Sequence, residues 1–360
     1  MTVRGRDNGR GELRIERLSS LESVREDWSR LAERTDNIFA TWEWNSIWWR
    51  HRGGDRALFA YGCRDSTGAL VAILPLYVSV NRPLRLVRYI GHGDGDHLAP
   101  ICGQADRGAA AHALRSALRE GGVDLFVAEN VPVTDGWGAL LGGKTLSTTG
   151  GPVLRFQGES WDSVLARTSH NTRGQARRRE RKLVREQDAQ FRLAGERERL
   201  DEDLDTLFAL HRARWRGSPT DFGGDGQALH REFAHAAFDR GWLRLWFLEV
   251  EGAAVAAWYG FRFGGAESYY QAGRDPAWDR YSVGFVLLVH TMRAALEDGA
   301  REYRFLEGDE KYKYRFTDDD PGLETIGIAR GALGGSALAV ISLAPPLARA
   351  GRYVVGMLGS

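Results

Sequence analysis

Two cysteines, Cys63 and Cys102, are all that 360 residues contain, too few for a disulfide framework or a four-cysteine zinc site, and such usage suits a reducing compartment. Charge of one sign is lacking too. The 49 Lys and Arg stand against 48 Asp and Glu, so no global field draws the chain to DNA or to an anionic membrane. A polyanion would have to be met by a local patch. Long hydrophobic runs are also missing: the longest, Ala69 to Val80, is too short for a bilayer and is broken by Pro75, and the opening MTVRGRDNGR has no apolar core of the signal-peptide kind. We expect a cytoplasmic protein without a membrane partner. What is present is bulk, since 43% hydrophobic content over this length suffices for two domains with full cores.

Hydrophobic spacing predicts a helix over Leu13–Ala32, with Leu18, Leu21, Val24, Trp28 and Leu31 on one side, and a second through TWEWNSIWWRH. The rings of Trp42, Trp44, Trp48 and Trp49 in that second helix serve either a core or a binding cleft. Strands are expected at Ala57–Cys63, Ala69–Val78 and Leu84–Tyr89, then a helix (Ala109–Glu120), a strand (Val123–Ala128) and a Gly-rich segment, Gly136–Gly151. The second half repeats the plan. Helices are expected over Asn171–Gln187, Asp201–Trp215 and Leu229–Asp239. Strands Leu243–Val250, Ala253–Phe263 and Glu267–Ala272 follow, with hairpin turns at Gly252 and at Gly264-Gly265. A helix (Val283–Asp298) and a strand (Glu302–Leu306) complete it. This is an α/β (α+β) pattern with an internal structural duplication, divided as 1–160, 161–330 and a Gly/Ala-rich tail, 331–360.

The stretch Glu267 to Phe316 is the most informative. It reads as strand, glycine-bearing turn, helix, strand, and then a polar cluster where the second strand ends, the order by which α/β sheets build a phosphate site at a helix start with side chains for chemistry beside it. Within it stand Ser282-Val283-Gly284 and the run Phe305-Leu306-Glu307-Gly308-Asp309-Glu310-Lys311-Tyr312-Lys313. With SHNTRGQARRRERKL and GHGDGDHLAP, these motifs resemble the GNAT-type acyltransferases of the CelD-like family, named for cellulose and exopolysaccharide clusters, over roughly Trp42 to Phe316. Val283 departs from the proline usual in the family turn. The resemblance implies two tandem GNAT-like domains, each a mixed central sheet flanked by helices, a fold shared with Fem-type aminoacyltransferases that build peptidoglycan cross-bridges.

By that resemblance, Arg280-Tyr281-Ser282-Val283-Gly284 is a degenerate form of the turn whose backbone N–H groups hold the coenzyme A pyrophosphate. Arg280 would supply charge, Gly284 close approach, and the helix its dipole. The plainer alternative makes Ser282 an N-cap and Arg280 a solvated charge. Tyr269 and Gln271 are expected on one face of their strand and Tyr270 on the other, one face meeting the acyl thioester. We count Tyr270 and Gln271 with the cofactor residues, and Tyr269 with the substrate residues. Asp309 and Glu310 are the candidate base or amine anchor, Lys313 a neutralising or anion-holding cation, and Tyr312 the acid for the leaving thiolate, unless the cluster is an ordinary ion-paired turn. Glu307, Trp215, and Asp96 with His97 of the first domain are expected at the acceptor.

Arg173, Arg177, Arg181 and Arg185 form a stripe, with Arg178 and Lys182 beside it, fit either for phosphates or polyanions or for solvent. His92, Asp94, Asp96 and His97 lack the spacing of a metal site, and no metal is expected. His230 and His235 read as surface or core-edge residues. The expected activity is direct N-acylation of a primary amine, on a small molecule or glycan, by acetyl-CoA or another acyl-CoA. Transfer from aminoacyl-tRNA is the second reading, and a catalytically inactive binding module the third.

Overall fold

The computed structural model describes residues 13–215, 222–223 and 225–343, arranged as two compact units. The first unit comprises the chain up to residue 150 and again from 321 onward, and the second comprises 151–320. Along the first run β1 (Arg14–Arg17), α1 (Arg25–Ala32), α2 (Trp42–Arg52), β2 (Ala57–Leu58), β3 (Tyr61–Arg64), β4 (Leu70–Leu74) and β5 (Leu76–Val80). Then follow β6 (Leu86–Tyr89), β7 (Ile101–Cys102), α3 (Arg107–Glu120), β8 (Leu125–Pro132), α4 (Trp137–Leu141) and β9 (Lys144–Thr149). The second unit contains β10 (Val153–Arg155), α5 (Trp161–Ala166), α6 (His170–Gln187), β11 (Gln190–Leu193), α7 (Leu200–Arg214) and α8 (Gly226–Asp239). It continues with β12 (Leu243–Val250), β13 (Ala253–Phe263), β14 (Ala266–Arg274), α9 (Val283–Glu297) and β15 (Glu302–Arg304). The chain then returns to the first unit with β16 (Leu323–Ala329) and α10 (Gly331–Leu343).

Each unit has a six-stranded mixed sheet with one parallel pair. The orders are β2-β5-β6-β8-β16-β9 and β10-β15-β14-β13-β12-β11, with β6 parallel to β8 and β14 parallel to β15. In both, a helix (α3 or α9) links the parallel strands, so the duplication expected from the element order is realised in topology. A further four-stranded sheet, β1-β3-β4-β7, belongs to the first unit. Pro75 lies between β4 and β5, which pair in different sheets; having no N–H to give a ladder, proline suits this exchange.

Several boundaries differ from expectation. The helix expected over 13–32 is a strand, β1, then a short 3₁₀ turn and α1, because β1 pairs along β3 while only Trp28, Leu31 and Ala32 keep helical burial. Residues 136–151 are not a plain loop but hold α4 and β9. The segment 321–330, expected in the second domain, supplies β16, paired between β8 and β9 of the first unit, and the expected tail begins as α10, whose Ala337, Leu338 and Ile341 pack on Leu86, Leu125 and Val127. Residues 344–360 of that tail lie outside the described residues. Trp44 and Trp48 are 0% and 1% exposed, which decides for the core.

In the second unit, local chemistry places the elements. The β12–β13 turn is Glu251-Gly252, both at positive φ, as a two-residue hairpin requires. Ser169 caps α6 by accepting the Thr172 N–H at 3.1 Å. One sheet face carries α9, whose Leu287 and Met292 pack in one core with Trp258 and Tyr303, and the other carries α7 and α8. At the back of α9, the His290 ring lies flat on Phe191 with centroids 3.8 Å apart and edge-on to Trp246. Burial, with Arg293 nearby, pushes this imidazole down to about 4 from the ordinary 6.5.

A folded-state pKa below the unfolded value means that between pH 6.5 and 4 the unfolded chain takes up a proton that the folded chain refuses. Stability is therefore expected to fall through this window, with a His290 contribution on the order of 1–2 kcal/mol. His290→Phe, which keeps the stack, is expected to show a shallower loss when urea unfolding is compared at pH 7 and pH 4.5.

Candidate active site at the start of α9

The site begins where β15 leaves β14. The two strands pair only over Ala266–Ser268 with Glu302–Arg304, after which β14 runs on to Arg274 along β13 alone. Against β13, the register moves from Gly260↔Tyr269 to Tyr259↔Gln271, so Tyr270 is the extra residue of a β-bulge. Glycines permit this geometry. A Cβ at Gly260 would lie 2.2 Å from the Ser268 carbonyl oxygen, and one at Gly273 would lie 2.4 Å from the His211 backbone nitrogen.

The bulge overturns the expected alternation. Tyr269 packs on the α9 face, with its ring on Trp258 at 5.6 Å and 6.4 Å from Tyr312. Tyr270 and Gln271 both turn to the α7/α8 face: Tyr270 Oη lies 3.2 Å from His230 Nε2, and Gln271 Oε1 lies 3.3 Å from His211 Nε2. An inserted residue resets the two-residue period, which sequence spacing cannot register.

At the helix start, Ser282 has φ 56, in the left-handed region that an L-residue rarely adopts. It occupies the N-cap position of α9, but its side chain makes no cap hydrogen bond. Gly284 faces open space: a Cβ there would meet only Arg274 Cδ, at 3.5 Å. Cations converge around this turn. Arg280 sits over the Tyr281 ring at 4.8 Å with Lys182 at 5.7 Å, while Arg179 and Arg315 lie over the Phe285 ring at 5.4 and 4.5 Å. Among the described residues no carboxylate pairs with Arg179, Arg280 or Arg315, and Arg315 is pushed below its ordinary pKa by burial and by Arg179. Arg274, the remaining cation of the turn, is taken by Asp279, whose carboxyl it lowers.

The polar cluster after β15 divides into structural and accessible parts. Lys313 is 3% exposed, and its Nζ donates to the carbonyl oxygens of Leu306 (3.2 Å), Glu307 (2.5 Å) and Gly308 (3.3 Å) while lying 2.9 Å from Glu310 Oε2. Lys313 thus clasps a turn in which Leu306 and Gly308 have positive φ; it does not hold a ligand anion, and it neutralises Glu310. Asp309 and Glu307 are exposed. Burial, then Tyr269 and Glu310, raise the Tyr312 hydroxyl far above the ordinary phenol value, so Tyr312 is suited to donate a hydrogen bond and poorly suited to surrender its proton. Trp215 is 39% exposed at the end of α7, under Arg214.

The corresponding place in the first unit holds an ion-pair cluster. Just beyond the β6–β8 pairing, Arg88 bridges to Glu129 at 2.7 Å and His92 reaches the same carboxylate at 3.0 Å. Burial alone would raise Glu129, yet His92 and Arg88 outweigh it and hold the carboxyl at about 2. Asp96 and His97 belong to this unit, where Asn130 Nδ2 donates to Asp96 at 2.7 Å and the His97 carbonyl accepts from Asn37. Among the described residues no group of three or more His, Cys, Asp and Glu is placed to hold a metal.

Residues 170–314 match the family profile described as an acetyltransferase (GNAT) domain. No curated protein matches the sequence. Among solved structures, the chain is similar to FemX, with TM-score 0.64, 12% identity, and coverage of 91% of this chain and 100% of that one. It is also similar to the C-terminal domain of a putative lysylphosphatidylglycerol synthetase from Agrobacterium fabrum (0.58, 12%, 89% and 96%) and to L-PGS from Bacillus licheniformis (0.55, 13%, 90% and 96%). The profile match thus falls within the second unit, and the fold of the chain is similar to that of FemX.

Sequence reasoning missed Arg179, whose signal was available: Thr172, Ala176 and Leu183 are the buried positions of α6, and Arg179 falls on their face by helical spacing. Replacing Lys313 by Met is expected to cost roughly 1–3 kcal/mol, because three carbonyls lose their donor. Glu310→Gln, at a 56% exposed side chain, is expected to cost under about 1 kcal/mol. Urea midpoints for the two variants check the order.

Proposed function

We propose that this chain is an acyl-CoA-dependent N-acyltransferase, with acetyl-CoA as donor, acting on a primary amine of a sugar or specialised metabolite; the CelD-like motifs support that acceptor class. The observation that carries the reading is a set of cations around the start of α9, Arg179, Arg280 and Arg315, that have no carboxylate partner among the described residues. Backbone N–H groups of the first helical turn and its partial positive charge suit a phosphate, and the guanidiniums supply charge-assisted donors. Gly284 leaves room for close approach. The thioester would lie along the part of β14 that β15 does not accompany, beside Tyr269 and Tyr312. There Tyr312, held protonated, donates a hydrogen bond to the thioester, and Asp309 or Glu307 attracts the ammonium form of the acceptor. No covalent enzyme intermediate is needed: Cys63 and Cys102 are buried and their thiols are pushed up to about 12 by burial, unsuited to nucleophilic attack.

A second reading, an aminoacyl-tRNA donor, rests on the outer face of α6, where Arg173, Arg178 and Arg181 have no acidic partner among the described residues. It is tempered by Arg177 and Arg185, which meet Asp162 and Glu186.

Acetyl-CoA at about a hundredfold over its dissociation constant is expected to add roughly 2.7 kcal/mol to stability, visible as a thermal shift. Arg179→Gln and Arg280→Gln are each expected to weaken this binding by about tenfold or more. No shift with any acyl-CoA, together with salt-sensitive tRNA binding lost on substitution of Arg173, Arg178 and Arg181, is the outcome that favours the second reading.

A further inference from the structure

α10 is apolar on every side, yet only one side is covered. Its inner residues Ala337, Leu338 and Ile341 pack on Leu86, Leu125 and Val127, and a Cβ at Gly334 would collide with the Asp124 carbonyl oxygen, so the helix lies flush on the sheet. On the outside stand Leu333, Val340 and Leu343, which are 47%, 60% and 83% exposed and follow one another at helical spacing. Ala332, Gly335, Ser336 and Ala339 beside them are exposed too, and no charged residue occurs from Gly331 to Leu343. A helix face turned to water ordinarily carries charge, whereas a helix apolar all round belongs in a core or at a lipid boundary.

The charges around α10 decide between these. Exposed Arg330 precedes the helix, and Lys144 of β9 donates from Nζ to Ser342 Oγ at 3.2 Å near its end, so a cation stands by each end of the apolar stripe. Asp124, against which Gly334 packs, turns its carboxylate to the Arg85 N–H at 2.8 Å. From Thr325 to Ser360 the sequence holds Arg330, Arg349 and Arg352 and neither Asp nor Glu, although acids and bases are nearly equal over the whole chain. Area argues against a protein partner. A 13-residue helix is about 20 Å long and about 10 Å wide, so its outer face falls well short of the roughly 800 Å² per side that a stable protein interface buries. A lipid surface sets no such requirement, because a few apolar side chains enter the headgroup boundary while cations beside them meet anionic lipids.

We propose that α10 docks the chain on an anionic lipid surface, with Leu333, Val340 and Leu343 in the headgroup boundary and Lys144 and Arg330 against lipid phosphates. Among the described residues no helix is long and apolar enough to cross a bilayer, so the contact is with the surface. The near-neutral net charge, from which no membrane partner was expected, is no obstacle, because the patch is local. The proposal stands independently of the acyltransferase reading.

The test is co-sedimentation of the full chain with vesicles of phosphatidylcholine alone and of phosphatidylcholine mixed equally with phosphatidylglycerol. Binding to the mixed vesicles that weakens with added salt is expected, with little to phosphatidylcholine alone. Leu333→Gln, Val340→Gln and Leu343→Gln together are expected to lower the apparent affinity for mixed vesicles by about tenfold or more with the thermal midpoint kept, and Lys144→Gln with Arg330→Gln by about fivefold or more. As a second readout, an environment-sensitive dye on Val340→Cys is expected to shift to the blue on mixed vesicles, while Cys63 and Cys102, being buried, stay unlabelled. No binding to mixed vesicles, or binding that survives the triple substitution with the dye unmoved, overturns the proposal. So does self-association abolished by the triple substitution in a chain that ignores vesicles, which assigns the face to a second copy instead.

Discussion

The short pairing of β14 with β15 is the constraint on which the rest of the second unit depends. After three residue pairs the strands part, and from there β14 is held from one side by β13 and from above by α7, whose backbone comes so close that only Gly273 fits. The connection to α9 is then free to place the helix start beside the opening, with Ser282 turned to positive φ. Had β15 followed β14 to Arg274, the ladder would occupy the place that the proposed thioester needs. The bulge at Tyr270 adds a second consequence, since two successive side chains reach α7 and α8 while Tyr269 stays over the α9 core.

Charge completes this geometry. A chain near neutrality overall nonetheless gathers Arg179, Arg280, Arg315 and Lys182 about one helix start, where burial first and Arg179 second lower Arg315 below its ordinary value. Helix dipole and like charges act in the same sense there, so a bound anion relieves a cost already present in the fold. The first unit handles the topologically matching place in the opposite way. Arg88, Glu129 and His92 satisfy one another across β6 and β8, and the carboxyl is held ionised far below neutrality. One duplicated plan thus yields one site with charge to spare and one with charge spent on joining strands.

Much of the second unit was legible in the residues. The strands after residue 243 and the hairpin at Gly252 follow from alternation and turn chemistry, and the order strand, turn, helix, strand was readable where the candidate site is proposed. The first unit was less legible for physical reasons. β1 reads as helix because Leu18, Leu21 and Val24 continue its apolar spacing, although β1 gains its hydrogen bonds from β3, far along the chain. Likewise β16 takes its place from β8 and β9, long-range partners that no local pattern announces. Within the site, Arg280 and Gly284 carried a readable signal. The roles of Lys313 and Gln271 did not, because one depends on three backbone carbonyls converging through a left-handed turn and the other on a single inserted residue.

Amide hydrogen exchange of the full chain with and without coenzyme A addresses the central claim most directly, because it reads where the ligand lies without requiring an acceptor. The account predicts slowed exchange confined to the start of α9 over 280–287, the facing part of α6 over 172–183, and β14 beyond residue 268, with the β6–β8 region of the first unit unchanged. Protection at Arg88, His92 and Glu129 instead, or none at the start of α9 under saturating coenzyme A, would contradict it.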